Sequence, residues 1–296
     1  MSRVPARLRR MFLAIAGLAL LAGCGPGTAV AAHWADPGTP AAAGPGSAAP
    51  SAASPSGGPA SAAPAVPVTG PLDLHAVSGK TIVIDPGHDG GNGAHPEIIN
   101  KLVPMGTGMK ACDTTGTETN SGYQEAAFTF DVALRLQALL KAAGAKVVMT
   151  RTDNTGVGPC VDKRAAIGND AHADVAVSIH GDGAPAGGHG FHVMEPKKVG
   201  APSDAIIGLS HQLALKVRDS YRTRTGIPTS TYIGTDGINP RADMAGLNLS
   251  VVPKVLVECG NMRNAGDAAF MSSTTGRQKV AEGLAGGLAA FLATEG

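Results

Sequence analysis

Four side chains that can bind a metal or move a proton follow or open the regular segments of this sequence. His88, His180 and Glu258 each come just after an apolar run rich in β-branched residues, and Glu125 opens a predicted helix. Two imidazoles and a carboxylate suit Zn²⁺, and three protein ligands leave a fourth position for water, as in catalytic zinc sites. A carboxylate outside that ligand set can serve as general base. The residue types therefore predict one zinc ion held by His88, Glu125 and His180, with Glu258 as the base.

Each of these assignments has a structural alternative. A histidine after a strand is commonly a loop residue, Glu125 could serve only to complement the helix dipole, and Glu258 could be an ion-pair partner. The separations along the chain are long, so spacing alone is a weak signal. The zinc interpretation is favoured because three strand ends and one helix start are expected at a single sheet edge, where open α/β sheets bind ligands.

Several further polar residues lie near this edge. Asp85 and Asp182 stand close in sequence to the two ligand histidines, so they could orient the imidazoles through hydrogen bonds. His189 and His192 flank another predicted strand and are candidates for substrate contact. No His-Glu-x-x-His pair is present in the sequence, so the metal site would not be of that helical type.

Apolar runs alternate with amphipathic segments from about residue 77 onward. Strands are predicted at residues 81–84, 146–150, 174–179, 190–194 and 254–259. Helices are predicted at residues 124–143, 162–171, 203–222 and 277–293. Because strands alternate with helices, the fold class is α/β, with one domain in which helices cover both faces of a sheet.

The N-terminal region is typical of export. Four arginines precede an apolar run, Met11–Leu21, that is too short to span a bilayer permanently, and Leu21-Ala22-Gly23-Cys24 follows at once. That tetrad looks like a bacterial lipobox, which predicts a signal peptide over residues 1–24 and lipidation of Cys24. The alternative is ordinary cleavage after Ala29-Val30-Ala31 and simple secretion. Residues 25–76 are rich in Ala, Pro, Ser and Gly, so they are predicted to be a disordered linker before a domain at residues 77–296.

Charge and cysteine content limit the partners and the compartment. The net charge of +1 gives no reason to expect nucleic acid as a partner. Cys112 and Cys160 both lie in loop-like sequence, so an oxidising compartment would allow them to form a disulfide. Cys259 ends an apolar strand and is expected to be free and buried. A metal-thiolate role for Cys259 is the less favoured alternative, because no second cysteine lies at ligand spacing.

At this point the sequence resembles a known family, the zinc-dependent N-acetylmuramoyl-L-alanine amidases of the amidase-3 type. The resemblance extends over roughly residues 79–294. It is carried by four motifs in order: Ile82 to Gly91 (IVIDPGHDGG), Gly122 to Glu125 (GYQE), Asp174 to His180 (DVAVSIH) with Arg164 before it, and Pro253 to Asn264 (PKVLVECGNMRN).

The resemblance implies the metal, the scissile bond and the sheet. The metal would be Zn²⁺, and the bond would join the lactyl group of N-acetylmuramic acid to L-Ala of the stem peptide. The sheet would be mostly parallel, twisted and of the six-stranded type.

Peptidoglycan or a muropeptide would be the substrate, and a monomer attached to the membrane by its lipid is expected. A non-catalytic peptidoglycan-binding lipoprotein, or a zinc deacetylase or peptidase, are the competing hypotheses. The segment 92–121 is longer than the resemblance suggests and is interpreted as a wall of the groove, fixed by the disulfide.

Overall fold

The computed structural model of the protein describes residues 70–295. The predicted signal peptide, the lipidation site Cys24 and linker residues 25–69 lie outside the described residues. Within residues 70–295, no helix is both long enough and apolar enough to cross a membrane.

A six-stranded sheet forms the centre of the domain, and a separate two-stranded hairpin lies in the segment 92–121. The strands are β1 (Thr81–Pro86), β2 (Leu102–Pro104), β3 (Met109–Ala111), β4 (Lys146–Met149), β5 (Val175–Asp182), β6 (His192–Pro196), β7 (Ile238–Arg241) and β8 (Lys254–Asn261). The sheet order is β4-β1-β5-β8-β6-β7, and only the β6–β8 pair is antiparallel. The prediction of a mostly parallel six-stranded sheet is therefore confirmed.

Helices cover both faces of this sheet, as predicted. They are α1 (Pro96–Ile99), α2 (Glu125–Ala142), α3 (Val161–Asp170), α4 (Ile207–Thr225), α5 (Ala245–Asn248), α6 (Ala265–Ser272) and α7 (Thr274–Leu292). The long helices α2, α4 and α7 pack on one face and share the main apolar core with the strands. The short helix α5 and the end of α3 cover smaller apolar clusters on the other face, which leaves room there for polar side chains.

The domain begins a few residues earlier than the sequence analysis expects. Leu72, Leu74 and Ala76 pack against the main core, and a short 3-10 helix spans His75–Val77. The Arg224 guanidinium donates to the carbonyl oxygens of Gly70 and Pro71 at 2.7 and 3.1 Å. Residues 70–76 thus belong to the folded domain, because apolar side chains at alternate positions give this segment surface to bury.

A disulfide joins Cys112 to Cys160, as predicted, and Cys259 is free and buried. The bond ties the end of the hairpin segment to the start of α3. Beside it, the Val161 backbone N–H donates to the Cys112 carbonyl at 2.8 Å. The disulfide and this hydrogen bond therefore attach the segment 92–121 to the domain at Cys112, in the second half of the segment.

Reduction of this disulfide should destabilise the protein by about 2–5 kcal/mol, because the bond closes a long loop and restricts the unfolded chain. Urea unfolding with and without a reducing agent measures this difference. A Cys259→Ala variant serves as the control, since it should lose the same amount on reduction. A wild-type protein equally stable in both conditions would contradict the prediction.

Candidate metal centre

One row of neighbouring residues runs across β1, β5, β8 and β6 at one edge of the sheet. Pro86 pairs with Ile179, which puts Gly87 beside His180, and His180 pairs in turn with Glu258. His192 of β6 lies opposite Glu258 on the other side. Cross-strand neighbours point to the same face of a sheet. His180, Glu258 and His192 therefore face the same side, the one that carries the short helices.

Three of the predicted residues come together as a possible metal site. Among residues 70–295, His88, Glu125 and His180 each offer a ligand atom, and these atoms lie within 4.8 Å of one another. Glu125 Oε1 lies 3.4 Å from His88 Nε2 and 3.0 Å from His180 Nδ1. The two imidazoles meet edge to face, with their centroids 5.0 Å apart. The arrangement offers two nitrogens and one oxygen to a single point.

Backbone donors fix the Glu125 carboxylate at the first position of α2. Thr117 N–H donates to Oε2 at 2.9 Å, and Gly181 N–H donates to Oε1 at 3.1 Å. Burial opposes ionisation of this carboxyl, but the charge of His88 and the hydrogen bonds from both imidazoles outweigh it. They hold the pKa of Glu125 well below its usual range. The carboxylate is thus an anion whose direction is set before any ligand arrives.

His88 is held by a residue that the sequence analysis did not identify. Its backbone lies in the left-handed region, with φ of 57°, which is uncommon for a residue other than glycine. Its Nδ1 lies 2.9 Å from Asp113 Oδ1 and 3.1 Å from the Thr114 carbonyl. Asp113 therefore accepts the Nδ1 proton and leaves Nε2 free to face Glu125 and His180. Such carboxylate–imidazole pairs fix ring orientation and raise ligand basicity in metal sites.

Asp113 is itself positioned by Arg164, which donates to Asp113 Oδ2 at 3.1 Å. Burial favours the neutral acid, but hydrogen bonding to His88 and the charges of His88 and Arg164 lower the pKa of Asp113 to about 2. Asp113 follows Cys112 directly in the chain, so the disulfide fixes the backbone beside it.

Replacing Asp113 with alanine should weaken zinc binding about 10- to 100-fold, because His88 would lose the acceptor that fixes its tautomer and ring plane. Competition with a chelating dye measures the dissociation constant without relying on turnover. Asp131→Ala removes an α2 carboxylate that pairs with Arg277 of α7 instead of a ligand histidine. It is the matched control and should bind zinc as the wild type does. Equal affinities of the Asp113 variant and the wild type would contradict this role.

Two glycines allow the ligands to approach one another this closely. A Cβ at Gly87 would lie 2.2 Å from His180 Cε1. At Gly116, where φ is +74°, a Cβ would lie 2.8 Å from both Glu125 Oε2 and His88 Cδ2. Glycine is thus required at both positions if the three ligands are to stay in place.

Glu258 lies next to the three-ligand cluster without joining it. The residue is half-buried, and its Oε2 is shielded from solvent and has no hydrogen-bond partner among the described residues. Burial, together with the nearby carboxylates of Asp182 and Glu125, raises the pKa of Glu258 well above its usual range. A carboxylate that is close to the ligands yet unengaged by them is suited to accept and release a proton.

The comparison with known proteins decides the family. The family described as N-acetylmuramoyl-L-alanine amidase (Amidase_3) matches residues 82–290, which include His88, Glu125, His180 and Glu258. The chain belongs to this family. The N-acetylmuramoyl-L-alanine amidase Rv3717 of Mycobacterium tuberculosis is 46% identical to it over 222 residues, or 74% of this chain and 89% of that protein.

Two solved amidase structures are also similar. The N-acetylmuramyl-L-alanine amidase Ami1 from Mycobacterium smegmatis is 45% identical, with a TM-score of 0.69, over 74% of this chain and 99% of that one. The apo form of Ami1 from Mycobacterium abscessus is 46% identical, with a TM-score of 0.69, over 73% of this chain and 100% of that one.

In this amidase Asp85 does not orient an imidazole, contrary to the sequence-based expectation. Its carboxylate accepts hydrogen bonds from Arg164 at 3.0 Å, from Lys254 at 2.9 Å, and from the hydroxyls of Thr150 and Ser178. The physical reason is register: Asp85 pairs with Ser178, two residues before His180 on β5, so its side chain lies on the same face but farther from the metal site. Two cations reach it there, and it forms a buried ion cluster under the site.

Asp182 does not contact an imidazole either. Its Oδ2 accepts the Tyr232 hydroxyl at 2.9 Å, and its Oδ1 accepts the Gly183 backbone N–H at 2.7 Å. Asp182 instead influences Glu258 through its charge, and it anchors a tyrosine beside the site.

Two buried arginines hold the turn that presents His88. Arg164 donates to the carbonyl oxygens of Pro86 and His88 at 2.7 and 3.0 Å. Arg151 donates to the Pro86 carbonyl at 3.1 Å and to the Ala126 carbonyl in the first turn of α2 at 2.9 Å. Arg151 thereby links the loop that bears His88 to the helix that bears Glu125. Arg164 stands in one of the family motifs, whereas nothing in the sequence marks Arg151 as a residue of the site.

Proposed function

We propose that this amidase cleaves the amide between the lactyl group of N-acetylmuramic acid and L-Ala of the stem peptide. In this proposal His88, Glu125 and His180 hold one Zn²⁺, and Glu258 is the general base. The observation that carries the proposal is the meeting of those three ligand atoms within 4.8 Å, beside a carboxylate that is free to exchange a proton. Family membership makes the chain a peptidoglycan-hydrolysing amidase, and the residue roles are inferred from this geometry.

The residues fit a zinc ion by their chemistry. Two imidazole nitrogens and one carboxylate oxygen form a ligand set that zinc hydrolases use, with a fourth position left for water. Asp113 keeps a proton on His88 Nδ1, so Nε2, which faces Glu125, is the nitrogen that would bind a metal in place of its proton. Without a cation, Glu125 would stand between two imidazoles with its second oxygen already engaged by Thr117.

Zinc, when bound, supplies Lewis acidity, which polarises the substrate carbonyl and lowers the pKa of a water to about 7. Glu258 then accepts the proton of the attacking water as the new C–O bond forms. The same carboxyl delivers that proton to the leaving nitrogen as the C–N bond breaks. The products are a carboxylate on the lactyl group and a free amino group on L-Ala.

The competing hypotheses predict different features. A non-catalytic binding protein of this fold would lack a ligand or the base, whereas His88, Glu125, His180 and Glu258 are all present and brought together. Treatment of a synthetic muramyl peptide, with and without a chelator, tests the reaction itself. Mass spectrometry should show release of the intact stem peptide only when metal is present. Loss of acetate, or cleavage within the peptide, would instead identify a deacetylase or a peptidase.

A peptidoglycan amidase works at the cell envelope. We propose that the chain reaches it through the predicted signal sequence, that Cys24 carries a lipid, and that residues 25–69 connect this anchor to the domain. Metabolic labelling with a fatty-acid probe, compared between the full chain and a Cys24→Ala variant, tests the anchor. Labelling that persists in the variant would overturn it. The expectation of a monomer stays a prediction.

A further inference from the structure

His192 is a buried histidine for which the packing provides no hydrogen bond. Its side chain is 0% exposed, and both Nδ1 and Nε2 lack a partner among the described residues. An imidazole buried in this way is costly, because its nitrogens lose their hydrogen bonds to water and gain none in return. Such a group in a folded protein calls for an explanation.

The position of His192 supplies one. It lies directly opposite Glu258 in the β6–β8 register, so the two side chains are neighbours on one face. The Tyr232 ring stands edge to face with His192, at a centroid distance of 6.2 Å. Tyr232 is anchored there by its hydrogen bond to Asp182. His192 therefore lies beside the general base and a fixed aromatic ring, and its ring nitrogens form no hydrogen bond with either of them.

A hydrogen-bond donor would stabilise ionised Glu258, and several of the groups nearest to it are unsuited to that task. Asp182 and Glu125 are carboxylates, and the Tyr232 hydroxyl donates to Asp182. His88 gives its Nδ1 proton to Asp113, and its Nε2 faces the ligand cluster. The Arg241 guanidinium, which also acts on Glu258 through its charge, donates from Nε and Nη2 to Asp243. His192 lies directly opposite Glu258 in the strand register, and its ring nitrogens have no hydrogen-bond partner among the described residues.

We propose that His192 is a positioning residue for Glu258, and that one ring N–H holds the ionised carboxylate while it exchanges a proton with the attacking water. This inference rests on the proposed function, because it assigns Glu258 as the base. Burial, with a contribution from Arg241, lowers the pKa of His192 to about 3. The ring is therefore neutral, with one nitrogen carrying a proton. It can donate to Glu258 without adding a positive charge that would weaken the base.

The test uses substitutions that separate hydrogen bonding from packing. His192→Leu fills the buried space with an apolar side chain, whereas His192→Gln retains an N–H donor. We expect His192→Leu to lower kcat roughly 10- to 100-fold, the effect of one hydrogen bond to a charged group. His192→Gln should recover part of that loss. KM and zinc content should match the wild type in both variants, and His211→Leu, an exposed histidine on α4, should leave kcat unchanged.

Stability should change in the opposite direction to activity. Removing two unpaired buried nitrogens should leave the melting temperature of His192→Leu equal to that of the wild type or a few degrees higher. A residue needed only for packing would give the reverse result, with Gln less active than Leu. If His192→Leu fails to fold, His192→Met replaces it in the same comparison.

The outcomes distinguish this inference from the function on which it rests. A wild-type protein that releases no stem peptide in the presence of zinc overturns the proposed function, and this inference falls with it. An active wild type whose Leu and Gln variants have the same kcat overturns the role of His192 alone. A variant that loses zinc would show that His192 supports the metal site instead, which also overturns the proposal.

Discussion

Replacing Glu258 with glutamine should lower kcat/KM by about 10²- to 10⁴-fold while leaving zinc binding intact. Glutamine keeps the size of the side chain but cannot accept the proton of the attacking water. Zinc should remain because Glu258 lies outside the cluster of His88, Glu125 and His180. Release of stem peptide from a muramyl peptide measures the rate, and metal analysis of the purified variant measures the zinc.

The control for this variant is Glu282→Gln, which makes the same chemical change on α7, where Glu282 accepts a hydrogen bond from Gln278. It should retain full activity. Near-normal turnover by Glu258→Gln would mean that another group moves the proton. Loss of zinc from that variant would mean that Glu258 is a ligand rather than the base.

Replacing Asp85 with asparagine should destabilise the protein by about 3–5 kcal/mol. Asp85 is 2% exposed and lies between Arg164 and Lys254, which are 4% and 2% exposed. Asparagine would leave two buried cations without their shared anion, and removing one partner of a buried ion cluster is more costly than removing the whole cluster. Urea unfolding at neutral pH measures the difference.

Acid should reduce this difference between the wild type and Asp85→Asn. Burial opposes ionisation of Asp85, but Lys254 and Arg164 outweigh it and hold its pKa well below the ordinary value near 3.8. A carboxyl whose folded pKa is lower than its unfolded pKa stabilises the protein above the unfolded value, and this contribution is lost as the pH falls below it. The difference in unfolding free energy between the wild type and Asp85→Asn should therefore have its full value at pH 6 and be smaller at pH 3.

Asp219→Asn is the matched control for Asp85. Its carboxylate is 53% exposed and pairs with two arginines on the surface of α4. Surface pairs of this kind contribute about 0–1 kcal/mol, so this variant should be close to the wild type at both pH values. If Asp85→Asn behaved in the same way, the cluster under the site would have no role in stability.

Much of the fold could be predicted from the sequence because several of its strands are continuous apolar runs. β1, β4, β5 and β8 are each flanked by polar or glycine residues, and their positions agree with the prediction to within a few residues. β7 was missed because Ile238–Arg241 contains a proline and an arginine and lies at the sheet edge. The hairpin of β2 and β3 was missed because its three-residue strands carry no clear alternation.

The site was predictable to the extent that its residues stand at strand ends. His88, His180 and Glu258 are placed by strands that pair in register, and the sequence marks those strands clearly. Asp113 could not be found in this way, because it lies in a Gly- and Thr-rich loop and is brought to His88 by the disulfide and by Arg164. Asp85 was misassigned because nearness in sequence to His88 does not reveal which row of the sheet it occupies.

The strand order has a consequence for how this amidase becomes active. β8 lies between β5 and β6 although it follows both of them in the chain. β6 and β7 can pair with each other early, but they can join the rest of the sheet only after residues 254–261 have emerged and inserted. Pairing of strands so distant in sequence is an intrinsically slow step of folding. His180, Glu258 and His192 therefore come together only when almost the whole domain is available for folding, so cutting activity appears at the end of that process.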